Sequence, residues 1–194
     1  MTIYYLTIAT LAGLGYALTN TKKRDASQGL GNSRACAFYL SVSFVLLVFL
    51  SSCRYAIGFD YFSYRNIYEI TSPLTYADIL RIHPDEPLFF LTCKLLGMLG
   101  CPYQILLLII NVFLLSVAMS FIRRYSKIPW VSVYLYITLQ FLAYNMNLIR
   151  QSIATAFFLL AFPYLKNRKL LPFTLLILAG GLFHNSLLFL FPLY

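Results

Sequence analysis

Along most of this chain the apolar positions do not alternate with polar ones; they run on. Charged residues are absent from 2–21, 35–53, 95–122, 128–149, 151–165 and 170–194. A helix that is apolar all round has no solvent face, so it belongs in a large core or in a bilayer. Most of these runs approach or exceed the roughly 20 residues that cross a hydrocarbon layer as a helix. The pattern predicts an all-α, polytopic integral membrane protein with about six transmembrane helices. A single transmembrane domain would occupy residues 1–194.

The expected helices are Thr2–Thr19, Arg34–Cys53, Tyr103–Ile122, Pro129–Tyr144, Asn145–Leu165 and Leu170–His184. Between the second and third lies the longest polar stretch, Arg54–Pro87, expected as an extracytoplasmic loop. Leu88–Leu99 is apolar but reaches only about 18 Å at helical rise, so it predicts a re-entrant or interfacial helix. The tail after His184 turns back at Asn185 and Ser186 and reads as a helix cut short.

Charge fixes the orientation. The net charge of +9 would suit a nucleic-acid binder if the cations formed one solvated patch. Instead they sit between apolar runs as Lys22, Lys23, Arg24 and Arg34, then Arg123, Arg124 and Lys127, then Lys166, Arg168 and Lys169. Such clusters mark cytoplasmic loops. No nucleic-acid partner is expected. Five of the six acids, Asp60, Glu69, Asp78, Asp85 and Glu86, fall in the opposite, outer loop. Spanning by Leu88–Leu99 would invert every later loop and split the basic clusters between the two sides. The first run lacks a basic n-region and has its charges after it, which argues for a retained helix rather than a cleaved leader. Cys36, Cys53, Cys93 and Cys101 have no CxxC or Cys/His spacing and read as small apolar residues.

Three outward-facing clusters could carry chemistry. Arg54, Asp60, Tyr61, Tyr64 and Arg65 stand above the second helix, where planar donors, acceptors and aromatic faces suit a sugar. Snorkelling arginines and an interfacial tyrosine belt are the competing structural reading. His83, Asp85 and Glu86 precede the re-entrant helix; a solvated acidic turn competes with metal binding there, and no metal is expected. Glu86 stands at the positive end of that helix. Asn147, Arg150, Gln151 and Ala154 are spaced to share one helix face, and Arg150 lies inside an apolar run, where an ionisable group is costly and points to function. Counting from their shared basic turn puts Arg150 and His184 at the same height, facing each other across one cavity.

The stretch Arg54-Tyr55-Ala56-Ile57-Gly58-Phe59-Asp60-Tyr61-Phe62-Ser63-Tyr64 resembles the R-Y-x-x-G-x-D-Y-x-x-Y signature of the EpsG/Wzy family of polysaccharide repeat-unit polymerases. Asn147-Leu148-Ile149-Arg150-Gln151-Ser152-Ile153-Ala154 resembles that family's N-x-x-R-Q-x-x-A helix, and Phe183-His184-Asn185-Ser186 its F-H-x-S element. Family members are usually longer, so the resemblance implies that this is an N-terminal part. It also implies a bacterial cytoplasmic-membrane glycosyltransferase, active on the extracytoplasmic face. Such an enzyme joins polyprenyl-diphosphate-linked oligosaccharide repeats into exopolysaccharide, capsule or O-antigen. Its implied partners are the lipid-linked oligosaccharide, the bilayer and other polysaccharide-assembly proteins. No cofactor is implied. In that setting Arg54, Tyr61, Tyr64, Arg65, Asn147, Arg150 and Gln151 would bind substrate, and His184, Asp60 or Glu86 would do proton chemistry. A lipid-linked oligosaccharide flippase, a membrane O-acetyltransferase and a non-catalytic assembly subunit are the alternatives. A flippase would need a charged path into the cytoplasmic half, and Thr155–Leu165 and Leu170–Gly180 carry no charge.

Overall fold

The computed structural model describes residues 2–20 and 34–194. The first basic cluster, Lys22 to Arg24, lies outside the described residues. Every described element is helical: α1 (Thr2–Asn20), α2 (Arg34–Ser52), α3 (Tyr61–Thr71), α4 (Tyr76–Ile82), α5 (Pro87–Met98), α6 (Tyr103–Tyr125), α7 (Pro129–Thr138), α8 (Phe141–Asn147), α9 (Ile149–Lys166) and α10 (Leu170–Gly181), followed by a 3-10 segment (Asn185–Leu193). Helix α6 is the axis, packed by α2, α9, α7 and α3. Helix α1 adds to α2 and α7 on one flank, and α10 to α9 on the other.

Two helices, α2 and α6, are long and apolar enough to cross a bilayer; Tyr5–Leu18, α5 and α10 are shorter apolar helices. Helix α9 carries Arg150 at its head and Lys166 at its end. The expected fourth helix departs most from expectation. It breaks after Thr138, where Gln140 takes a left-handed φ of 67°. Sequence gave no warning, because neither glycine nor proline stands there. The turn is closed by its own hydrogen bonds. Thr138 spends its hydroxyl on the carbonyl of Tyr134 at 2.9 Å, and the amides of Leu139 and Gln140 close back on Leu135 and Ile137. A second break at Leu148 separates α8 from α9. Asn145 and Asn147 therefore end α8 rather than head the next helix, which corrects the expected shared face with Arg150.

The outer loop folds into α3 and α4. In α3, Tyr61, Tyr64, Tyr68 and Thr71 recur at helical spacing and are buried. They pack on Phe89, Phe90, Cys93, Tyr103 and Leu107, so these three tyrosines are core, not an interfacial belt. Tyr55, Phe59, Phe62 and Tyr76 are the aromatic residues left outward, Phe59 being 98% exposed. Helix α4 starts at a Thr75 cap whose hydroxyl accepts from the Asp78 amide at 3.2 Å and donates to the Asp78 carboxylate at 2.6 Å. Helix α5 fits the expected short apolar segment, entered through Pro87 at its first turn. Its unsatisfied Leu88 amide donates to the Leu182 carbonyl at the end of α10, at 3.2 Å. One helix start and one helix end thus satisfy each other, and that link positions the site.

Candidate active site

At this junction three distant segments meet on one carboxylate. Glu86, immediately before α5, accepts from Arg150 Nη1 at 2.6 Å through Oε2. Its Oε1 accepts from His184 Nδ1 at 2.7 Å and from the Asn185 backbone amide at 3.2 Å. Glu86 is 15% exposed, His184 29% and Arg150 33%, so the cluster is partly shielded but reachable. Where the carboxylate is ionised it can only accept, and a neutral His184 paired with it would carry its ring proton on Nδ1 and keep the Nε2 lone pair free. Arg150 also lies over the Phe90 ring, 5.8 Å from its centroid, and its buried Nε has no partner. The guanidinium is thus held through Nη1, with Nε buried and unsatisfied and the side chain as a whole one-third exposed.

His83 stacks flat on the same Phe90 ring, with centroids 3.5 Å apart and planes 1° from parallel. Burial holds its pKa below the ordinary 6.5, and the Arg150 charge adds to that while Glu86 opposes it. A neutral His83 avoids a second cation beside Arg150. His83 belonged to the expected acidic turn, but Phe90 was not among the expected site residues; an aromatic in the first turn of a helix carries no signal until its neighbours are known.

A second cluster joins the first expected motif to the head of α9. Arg54 is 3% exposed; its Nη1 donates to the Ile57 carbonyl at 3.3 Å, and its guanidinium lies 5.9 Å over Tyr61. Gly58 has φ +104°, and a Cβ there would stand 2.8 Å from Asn147 Oδ1 and 3.1 Å from Arg54 Nη1. The motif glycine is required twice, by its backbone angle and by the two side chains that close over it. Asn147 donates to the Ala143 carbonyl at 2.9 Å, while its Oδ1 is buried without a partner.

The remaining expected residues are placed differently. Tyr61 is fully buried and its hydroxyl accepts from Gln104 at 3.0 Å; Tyr64 packs edge-on to Phe89. Neither offers an open ring face. Arg65 pairs with Glu69 at 2.8 Å on an exposed face of α3. Asp60 precedes α3 without capping it through its side chain, and among the described residues it makes no ion pair. Gln151 lines a cleft of about 280 Å³ with Phe141, Tyr144, Asn145 and Thr155. Arg150 and His184, expected to face each other, share Glu86. Phe183 stacks on Phe157, with centroids 5.6 Å apart, and Ala154 is buried in the cluster of Phe173, Ile177 and Leu187. Their motifs therefore mix packing positions with polar ones.

No curated protein and no solved structure matches this chain. A model of the EpsG family matches residues 37–194, a stretch that takes in every residue of both clusters. With that match extending over well more than half of the 194 residues, the chain belongs to the EpsG family.

Proposed function

We propose that the protein is a multi-pass polymerase of the bacterial cytoplasmic membrane, working at its outer face. It would transfer an oligosaccharide from one polyprenyl-diphosphate carrier to the terminal sugar of another. The observation that carries this reading is the bridge from Glu86 to both Arg150 and His184. In the proposed step the acceptor hydroxyl oxygen attacks the anomeric carbon while the bond from that carbon to the diphosphate oxygen breaks. Nε2 of His184 takes the hydroxyl proton, and the polyprenyl diphosphate leaves with the bonding electron pair. Glu86 fixes the tautomer and orientation of His184, the role of the third group in a nucleophile, base and orienter relay. Arg150, one-third exposed, would present its guanidinium to the diphosphate, where a planar fork suits paired oxyanions. Arg54, Asn147 and Gln151 would bind the substrate beyond it, the cleft beside Gln151 offering amides, a hydroxyl and aromatic edges to a glycan. Asp60 remains the alternative base, but its position outside the ion pair favours His184.

In this reading α1, α9, α10 and the broken pair α7–α8 also cross the membrane, beside α2 and α6. Helix α5 and its neighbours α3 and α4 would form the outer cap that closes over the site.

The test is polymer length in cells lacking the native gene, complemented with the complete protein. Arg150→Lys keeps the charge but loses the fork, so shortened polymer is expected. Arg150→Ala and His184→Ala are expected to abolish it at unchanged membrane abundance. Full-length polymer from both alanine variants would remove these residues from the mechanism.

A further inference from the structure

A groove with a consistent polarity lies at the opposite end of the molecule. It runs between the C-terminal halves of α6 and α9 and has a volume of about 360 Å³. Its inner part is apolar, lined by Val117, Phe121 and Leu160; its mouth carries Arg124, Lys169 and the Tyr164 ring. Val117 and Arg124 lie seven residues apart on α6, so polarity changes over about 10 Å along the helix axis. In a membrane that axis runs from acyl chain to headgroup, and a lipid has the same gradient in the same direction.

Charge adds a second, independent argument. Arg34, Arg123, Arg124, Lys127, Lys166, Arg168 and Lys169 gather at this end, while the described acids all fall within residues 60–86 at the other. Arg124 and Lys166 rest over the Tyr125 ring at 5.6 and 5.9 Å, and the ion pairs of the described residues all involve Glu69 or Glu86. Neutralising anions must therefore come from outside the described chain. Pro163, inside α9 and on the groove wall, has no amide to give the Leu159 carbonyl.

We propose that this groove is a specific site for one anionic glycerophospholipid of the cytoplasmic leaflet. Its phosphate sits between Arg124 and Lys169, and one acyl chain lies along Val117, Phe121 and Leu160. The site is remote from Glu86 and does not depend on the polymerase reading.

Native mass spectrometry of the complete protein released from a neutral detergent tests it, with phosphatidylglycerol and phosphatidylcholine of matched acyl chains as probes. Wild type is expected to retain one phosphatidylglycerol in preference to phosphatidylcholine. The double variant Arg124→Gln, Lys169→Gln should weaken that retention by about tenfold or more. Lys127→Gln with Arg168→Gln removes the same charge at the same end outside the groove and should change it by less than about twofold. Val117→Trp fills the groove, leaves every charge in place and should also displace the lipid; size-exclusion profiles check folding of each variant. Equal loss in the two double variants would overturn the proposal in favour of a diffuse surface potential. Equal retention of phosphatidylcholine would reduce the groove to ordinary lipid contact, and preferential retention of a polyprenyl phosphate would assign it to a different lipid. Either result overturns the proposal as well.

Discussion

Glu86 shows how much chemistry one side chain can organise. Its two oxygens hold a guanidinium, an imidazole and a backbone amide, so replacing it disturbs a charge, a tautomer and a chain position together. Glu86→Gln keeps the shape but lacks the charge that fixes Nδ1–H on His184. If the proposed function holds, polymer formation by the purified protein is expected to fall about a hundredfold or more at normal yield of folded protein. An unchanged rate would leave the carboxylate a purely structural bridge. Gly58→Ala is expected to abolish polymer formation too, by pushing Asn147 and Arg54 apart, whereas Phe59→Ala next to it, at an exposed position, should leave activity nearly unchanged. His83 gives a pH test. Its folded pKa is depressed, so the neutral stack on Phe90 contributes fully above the ordinary value of 6.5 and is lost as pH falls through the lower folded value. Imidazole resonances of His83 should titrate below those of a free histidine, and His83→Phe should extend stability to more acid pH.

At the scale of elements, breaks matter as much as helices. A helix running uninterrupted from Pro129 to Tyr144 would leave Asn147 on the next helix, one turn from Arg150. The turn at Gln140 and the break at Leu148 instead end α8 with Asn147 against Gly58 and start α9 with Arg150 against Glu86. A left-handed residue with a side chain costs about 1 kcal/mol or more, a local strain of the kind found where function imposes geometry. The cap of α4 is more ordinary and easily tested. Thr75→Ala removes a hydroxyl that serves both the amide and the carboxylate of Asp78, and should lower the local stability of α4 by about 1 kcal/mol. Hydrogen exchange of the α4 amides measures this; protection equal to wild type would mean that packing of Ile79 alone holds the helix. Loss of the cap should also let the Asp78 pKa, held down chiefly by the Thr75 hydroxyl, rise toward its usual value.

For the whole molecule, polarity separates into two ends. The described acids and both polar clusters lie at the α3–α5 end, and most of the cations at the end where α6 and α9 finish. We predict that cysteines introduced at Ser126 and Asn167 are shielded from an impermeant thiol reagent in intact cells, while one at Asp85 is labelled. Labelling of all three would refute the two-sided arrangement.

What the sequence by itself determined was whatever depends on composition and short-range spacing. Long apolar runs imposed helices with near-correct bounds for α1, α2, α5 and α6, and the right end but not the start of α9, because a backbone in an apolar setting must satisfy its own hydrogen bonds. The costly position of Arg150 and the motif around His184 marked two of the three residues that meet at the site, and Glu86 stood out as an acid at a helix start. Only the tertiary structure decided that these three touch, since 64 and 98 residues separate Glu86 from its partners and no periodicity spans such a gap. It also decided which tyrosines are core. Tyr61 and Phe62 are neighbouring aromatics at the start of α3, yet one is fully buried and the other 56% exposed, because burial depends on which face of α3 meets α5 and α6. The turn at Gln140 was illegible for the same reason. Its local propensities permit a helix, and the packing of the surrounding elements holds the chain in another conformation.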